Sequence, residues 1–409
     1  MKRYVIVGNG TAAVGCIEGI RACDRDGAIT VISEEKRPVY GRPLISYYLE
    51  GKTDLEKMNY RPADFYEKNG CRLIYGRAAT VDPEKKTVAL DGGGSLPYDA
   101  LCVATGSRPF VPPFEGLDAV EKKFSFMTLD DALALEKELD KDARVLIVGA
   151  GPIGLKCAEG IKERVGRITV CDLADRVLSS ILDTDCAGFV QKHLEANGID
   201  FLLGDTAVKF DRNTATMKSG KTVEFDLLVL AVGVRANTDL VKAAGGTVNR
   251  GIVVDEKMQA SVPGIYSAGD CAEGYDASIG ANRVIAILPN AYLQGHAAGV
   301  NMAGGDVRYG NAIPMNSIGF FGLHIMTAGA YDGEMSEEKT EEGIKRFFTK
   351  DGLLRGYILI GETERAGIYT SLIREKTPLD TVDFDLTKKV ASNLIFSREN
   401  RRKKFGGVV

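Results

Sequence analysis

Lys2-Arg3-Tyr4-Val5-Ile6-Val7-Gly8-Asn9-Gly10-Thr11-Ala12-Ala13 is the stretch that decides the fold. Val5 to Val7 is an apolar, β-branched run, as expected of a strand buried on both faces. It runs directly into a turn with G-x-G-x-x-A spacing that holds Thr11. Gly8 allows the tight turn, Gly10 lets a pyrophosphate approach the backbone, and Ala13 keeps the following helix close to the strand. The unpaired N–H groups at that helix N-terminus favour a phosphate. The helix is predicted to reach about Cys23, and a second strand over Ala28–Ser33 ends at Glu34. A carboxylate there can accept from a ribose 2′-hydroxyl. Strand, glycine turn, helix, strand and acid in that order predict a dinucleotide site.

The same pattern returns further along. Arg144-Val145-Leu146-Ile147-Val148 leads into Gly149-Ala150-Gly151-Pro152-Ile153-Gly154, a full G-x-G-x-x-G with Ile153 inside it. A helix to about Arg164 and a strand over 167–171 follow, closing on Asp172. Two such units in one chain are far more specific than either alone. Asp172 can bind a ribose 2′-hydroxyl and repels a 2′-phosphate, and no Arg cluster follows it, which favours NADH over NADPH.

Two further strands end in glycine turns. Ala100 to Val103 runs into Ala104-Thr105-Gly106, and Phe225-Asp226-Leu227-Leu228-Val229-Leu230-Ala231-Val232-Gly233 repeats that pattern. A third such end is Gly269-Asp270, and residues 289–302 read as a helix. Residues 55–69 read as helical, 71–90 as strands broken by a turn at 82–85, and 128–139 as a helix capped by Thr128 and Asp131. Prolines at 109, 112 and 113 suggest a crossing between domains. The fold class is α/β: two Rossmann-like three-layer dinucleotide-binding domains plus a C-terminal α+β domain. The expected boundaries are 1–115 and 242–310 for the outer domain, 116–241 for the inserted one, and 311–409 for the last.

Composition excludes several classes. The chain has 409 residues, 44% hydrophobic, with a net charge of −4 and no basic excess that would suggest nucleic acid. The N-terminal apolar run is too short for a signal peptide and is explained as a strand. Residues 310–330 are nearly uncharged but interrupted by Pro314, Asn316 and glycines, unlike a spanning helix. A soluble, cytoplasmic protein without a membrane partner is expected. The eight cysteines are scattered without C-x-x-C, and the three histidines lie far apart, so no metal site is expected. Residues 398–404 are basic and could steer an acidic redox protein.

On these motifs the chain resembles the pyridine nucleotide–disulfide oxidoreductase superfamily of two-dinucleotide-binding-domain flavoproteins, over roughly residues 1–305. Gly8, Gly10, Ala13 and Glu34, then Ala104-Thr105-Gly106, then Gly149, Gly151, Gly154 and Asp172, then Gly269-Asp270 stand in the order of that family. The resemblance implies FAD and NAD(H) as cofactors. It places Asp270 on the ribityl chain and the positive end of the helix near residues 294–299 toward the flavin. The segment Tyr40-Gly41-Arg42-Pro43-Leu44-Ile45-Ser46 is similar to NADH:rubredoxin reductase-like electron-transfer enzymes, which implies that Arg42 contacts FAD.

The departures carry as much information. Disulfide reductases and coenzyme A disulfide reductases in this superfamily have cysteine within 39–48, and here no cysteine lies between Cys23 and Cys71. Relatives acting as NADH oxidases or peroxidases also use a flavin-proximal cysteine, so those readings are alternatives that the sequence disfavours. Many relatives place a lysine where Tyr47 stands and a glutamate where Lys156 stands. Lys156 is therefore expected near the flavin–nicotinamide contact, supporting an anionic reduced flavin, with Tyr47 shaping the stacking face. The bland alternative pairs an exposed Lys156 with Glu159.

The expected function is hydride transfer between NAD(H) and FAD. Electrons then pass to or from a small redox protein or an iron–sulfur partner subunit, in a homodimer or a hetero-oligomer. A flavin-bearing structural or sensing subunit is the non-enzymatic reading.

Overall fold

The computed structural model describes residues 1–389, and its contacts divide the chain into two compact units. The first comprises residues 1–275 and 282–310, and the second residues 276–281 with the described residues from Asn311 onward.

The first unit holds two parallel five-stranded sheets. One runs Ile265–Ser267, Ala100–Val103, Arg3–Val7, Ala28–Ser33, Cys71–Tyr75. The other runs Ile199–Leu203, Arg167–Asp172, Arg144–Val148, Leu227–Leu230, Lys123–Phe124. In both, the first fingerprint strand lies at the centre with four consecutive buried residues, as a strand covered by helices on both faces must.

The duplication extends to individual hydrogen bonds. Gly8 N–H donates to Ile32 O and Gly149 N–H to Cys171 O, each at 2.8 Å. Ala104 N–H donates to Val7 O at 2.7 Å, and Ala231 N–H to Val148 O at 2.8 Å. Each sheet also sends out an antiparallel three-stranded meander, Ala78–Asp82 with Thr87–Leu90 and Ser95–Pro97, and Ala207–Asp211 with Thr214–Met217 and Thr222–Glu224. The two passages between the sheets, Ser107–Pro109 and Val234–Ala236, pair antiparallel as one ribbon.

Two helices of the first unit cross at backbone contact. A Cβ at Gly295 in Leu288–Met302 would lie 2.0 Å from Ala12 O in Thr11–Cys23, and one at Gly299 would lie 2.1 Å from Cys16 O. From the other side, Gly15 and Gly19 face Tyr292 O and His296 O at 2.2 and 2.3 Å. Glycines four apart on both helices therefore let Thr11–Cys23 and Leu288–Met302 interlock.

In the second unit an antiparallel sheet runs Met315–Phe320, Leu323–Gly329, Leu353–Ile360, Ile344–Lys350, Glu334–Lys339. The helix Ala366–Arg374 covers one face through Tyr369 and Leu372, packed with Phe347 and Tyr357. The nearly uncharged stretch at 310–330 thus forms a hairpin, and no helix among the described residues is long and apolar enough to cross a membrane. The basic residues at 398–404 lie outside the described residues.

Three helix expectations need correction. Of residues 55–69 only Phe65–Lys68 is helical. Tertiary pairing claims the rest: Gly41 N–H donates to Met58 O at 2.8 Å and Tyr60 N–H to Val39 O at 3.0 Å. The helix expected over 128–139 keeps its capping box at Thr128 and Asp131 but stops at Glu136, and the one expected to reach Arg164 tightens into a 3-10 turn after Ile161.

Candidate functional site

The first fingerprint forms a cradle shaped by exclusion. Gly8 has φ +111°, and a Cβ there would lie 2.1 Å from Ala104 O. Gly10 is the reverse case: a Cβ on it meets nothing within 4 Å. It caps Thr11–Cys23 without any side-chain cap, so the first-turn N–H groups are left to a ligand. Thr11 and Ala13 are buried at the helix start. The Tyr66 hydroxyl braces the turn, donating to Asn9 Oδ1 at 2.7 Å and accepting from Val39 N–H at 3.1 Å. Tyr66 had no signal in the sequence beyond an aromatic near a glycine.

The acids around this cradle have separate tasks. Glu34 is 71% exposed at the strand end and pairs with Arg77 at 3.3 Å. Its neighbour Glu35 accepts from Tyr40 Oη at 2.6 Å and pairs with Arg42, which also donates to Met127 O at 3.1 Å. Asp270, beside Gly269, accepts from Ser107 Oγ at 3.3 Å. Burial pushes the Asp270 carboxyl above the usual carboxylate range, while Ser107 and the positive charge of Arg42 pull it back. Gly269 N–H donates to Gln294 Oε1 at 2.9 Å, tying that turn to the helix Leu288–Met302.

The Thr105-Gly106 turn is held by a residue that the sequence did not announce. Asn237 N–H donates to Gly106 O at 2.9 Å, and its side-chain amide donates to Thr105 O at 2.9 Å. Thr105 Oγ1 donates in return to Asn237 O at 2.8 Å. Asn237 follows the crossover ribbon, just beyond Gly233, where a Cβ would meet open space.

The second cradle copies the first. Gly149 has φ +120° with Ala231 O 2.2 Å from a would-be Cβ, and Gly151 is open and lacks a side-chain cap. Ile153 is half-buried behind it, and Gly154 packs on Gly149 O at 2.0 Å from a would-be Cβ. Asp172 accepts from Ala150 N–H at 2.7 Å and from Ala174 N–H at 2.8 Å. With these two bonds it shapes the glycine loop.

The helices Leu44–Leu49 and Pro152–Ile161 pack against one another. They touch at Gly160, where a Cβ would lie 2.8 Å from Ser46 O. Across that contact, Lys156 Nζ stands 4.5 Å from the centre of the Tyr47 ring and pairs with Glu159. Lys156 is only 18% exposed, so the pairing with Glu159 is not the solvated surface contact that the bland reading assumed.

Two uncapped helix N-termini behind open glycines, with a half-buried carboxylate, Asp270, beside one of them, fit two dinucleotides. Comparison with known proteins agrees. Residues 2–295 match the pyridine nucleotide-disulphide oxidoreductase family, and the chain belongs to it. It is an oxidoreductase with FAD and NAD(H) as cofactors. It is 30% identical to the NADH-dependent phenylglyoxylate dehydrogenase subunit epsilon of Aromatoleum evansii, over 97% of this chain and 96% of that protein. It is 34% identical to the nitrite reductase [NAD(P)H] of Bacillus subtilis over 88% of this chain, which is 44% of that longer protein. Putidaredoxin reductase in its covalent putidaredoxin complex superposes with a TM-score of 0.88 at 24% identity, covering 96% of this chain and 97% of that one.

Proposed function

We propose that the chain takes hydride from NADH onto FAD and passes the electrons to an iron–sulfur protein, as the NAD(H)-handling subunit of a larger oxidoreductase. The observation that carries this reading is the contact of Lys156, on the helix that follows the second cradle, with Tyr47, in a segment without cysteine. FAD would supply the two-electron to one-electron exchange, and the protein's part is to bind and orient the two cofactors. Gly8, Gly10, Thr11 and Ala13 bind the FAD pyrophosphate, Glu34 the adenosine ribose, and Arg42, Ala104, Thr105, Gly106, Gly269 and Asp270 the flavin half. Gly149, Gly151, Ile153, Gly154, Asp172 and Gly233 receive NADH. Lys156 and Tyr47 border the hydride-transfer site.

The subunit role draws on the match to the phenylglyoxylate dehydrogenase subunit, which runs nearly end to end in both chains. Eight free cysteines, six of them buried, suit a reducing cytoplasm. Anaerobic affinity purification of the tagged chain from its own cells tests the reading. Stoichiometric recovery of an iron–sulfur or oxidoreductase subunit supports it. Recovery of the chain alone, with rapid NADH oxidation by oxygen, would instead favour an oxidase.

Asp270→Asn separates binding from stability. The folded protein raises this carboxyl, so without flavin its charge costs nothing below the ordinary carboxylate range. The cost grows as pH climbs toward the folded value and is full above it. At neutral pH the flavin-free Asp270→Asn protein should therefore melt higher than the wild type. Asn accepts ribityl hydroxyls less strongly than a carboxylate, so FAD affinity should fall roughly tenfold or more, about 1.5–3 kcal/mol. Calorimetry of the apoprotein and flavin titration read the two arms, and a lower melting point would contradict the assignment.

A further inference from the structure

Lys156 and Glu159 lie one helical turn apart on Pro152–Ile161, with side chains 18% and 5% exposed. An ion pair this sheltered contributes little to stability, because removing both charges from water costs about what their attraction returns. Its geometry is specific all the same. A lysine stem is long enough to carry its ammonium into water. Here the carboxylate of Glu159 and the face of Tyr47 hold it between them, 4.5 Å from the ring centre. Gly160, the very next residue, is where this helix touches the backbone of Ser46, so the pair sits where Pro152–Ile161 packs on Leu44–Leu49. Lys52, itself paired with Glu50, also feels the charge of Glu159.

We propose that Glu159 is a positioning residue for the redox site. It offsets the charge of Lys156 and keeps the ammonium over Tyr47, and so sets the net charge beside the flavin and with it the flavin midpoint potential. This inference rests on the placement of Lys156 at the hydride-transfer site given above.

The two charges must act with opposite signs. Positive charge near the flavin favours the reduced form, and negative charge disfavours it. Glu159→Gln keeps the shape and an acceptor for Lys156 while removing the negative charge. It should shift the reduced-to-oxidised ratio at fixed potential toward reduced on the order of tenfold, ~30 mV for a two-electron couple. Lys156→Met should shift the ratio the other way by at least as much. The double variant removes both charges together and should return to within about threefold of wild type. Glu159→Asp retains the charge and should leave the ratio unchanged, which separates charge from packing.

Each potential is read by equilibrating FAD-loaded protein with a reference dye. If Lys156→Met lowers the potential but Glu159→Gln does not raise it, the role of Glu159 is wrong and the placement of Lys156 stands. If neither variant moves it, both are wrong. Should Glu159→Gln fail to retain flavin, the double variant decides: a drop as large as that of Lys156→Met alone overturns the proposal.

Discussion

Gly8→Ala protein should purify without flavin, whereas Gly149→Ala protein should purify yellow but stay oxidised when NADH is added. Both glycines sit at positive φ, +111° and +120°, which costs an alanine roughly 1–3 kcal/mol. The steric term is larger. A methyl group at Gly8 would stand 2.1 Å from Ala104 O, and at Gly149 2.2 Å from Ala231 O. Neither oxygen can retreat, because Ala104 and Ala231 are each hydrogen-bonded to the strand that leads into the glycine. The loop must move instead, and its N–H groups leave the phosphate. FAD affinity in the first variant and NADH affinity in the second should each fall at least about 100-fold, roughly 2.7 kcal/mol. Flavin content and nucleotide titration measure the two losses. Stoichiometric FAD in Gly8→Ala would show that the first fingerprint is not the flavin site.

Gly295→Val should destabilise the protein by more than about 3 kcal/mol and weaken flavin binding with it, although residue 295 is placed on no cofactor. The would-be Cβ is 2.0 Å from Ala12 O, so the helices must separate along their whole crossing at Gly15, Gly19 and Gly299. Overpacking a core side chain usually costs about 1–3 kcal/mol because neighbours can adjust their rotamers. Here the neighbour is backbone. The displaced helix also carries Gln294, which holds Gly269, so the Asp270 turn shifts too. Gly188→Ala is the control. It lies within the helix Thr184–Ala196 with nothing within 4 Å of its would-be Cβ, and alanine there should add about 0.5–1 kcal/mol. A loss of stability in Gly188→Ala comparable to that in Gly295→Val would mean that the crossing is not the cause.

Sequence reading reached the parts of this molecule that local order determines. Each central strand, its glycine turn and its helix are contiguous, and the spacing alone implies the cradle. What it missed depends on pairs far apart in the chain. Nothing near Asn237 announces a clamp on Thr105 and Gly106, since Thr105 lies 132 positions away. Gly15 and Gly19 are ordinary helix glycines until Gly295 and Gly299 are set against them. The helix expected at 55–69 failed for the same reason: its backbone groups are claimed by residues 39–41. Lys156 and Glu159 were legible as a pair three residues apart. Their shelter was not, because it comes from the approach of another helix at Ser46.

The zipped ribbon of Ser107–Pro109 and Val234–Ala236 also orders events in time. The sheet centred on Arg144–Val148 draws every strand from residues 123–230, so its partners all leave the ribosome before Val234 does. The sheet centred on Arg3–Val7 must wait for Ile265–Ser267 at its edge, and the interlocking helix Leu288–Met302 comes later still. Domains tend to fold as their chain emerges, and distant pairings are the slow ones. The nascent chain would therefore acquire a nicotinamide-nucleotide pocket before it can hold a flavin. Colour would then mark a chain that has grown past that late helix.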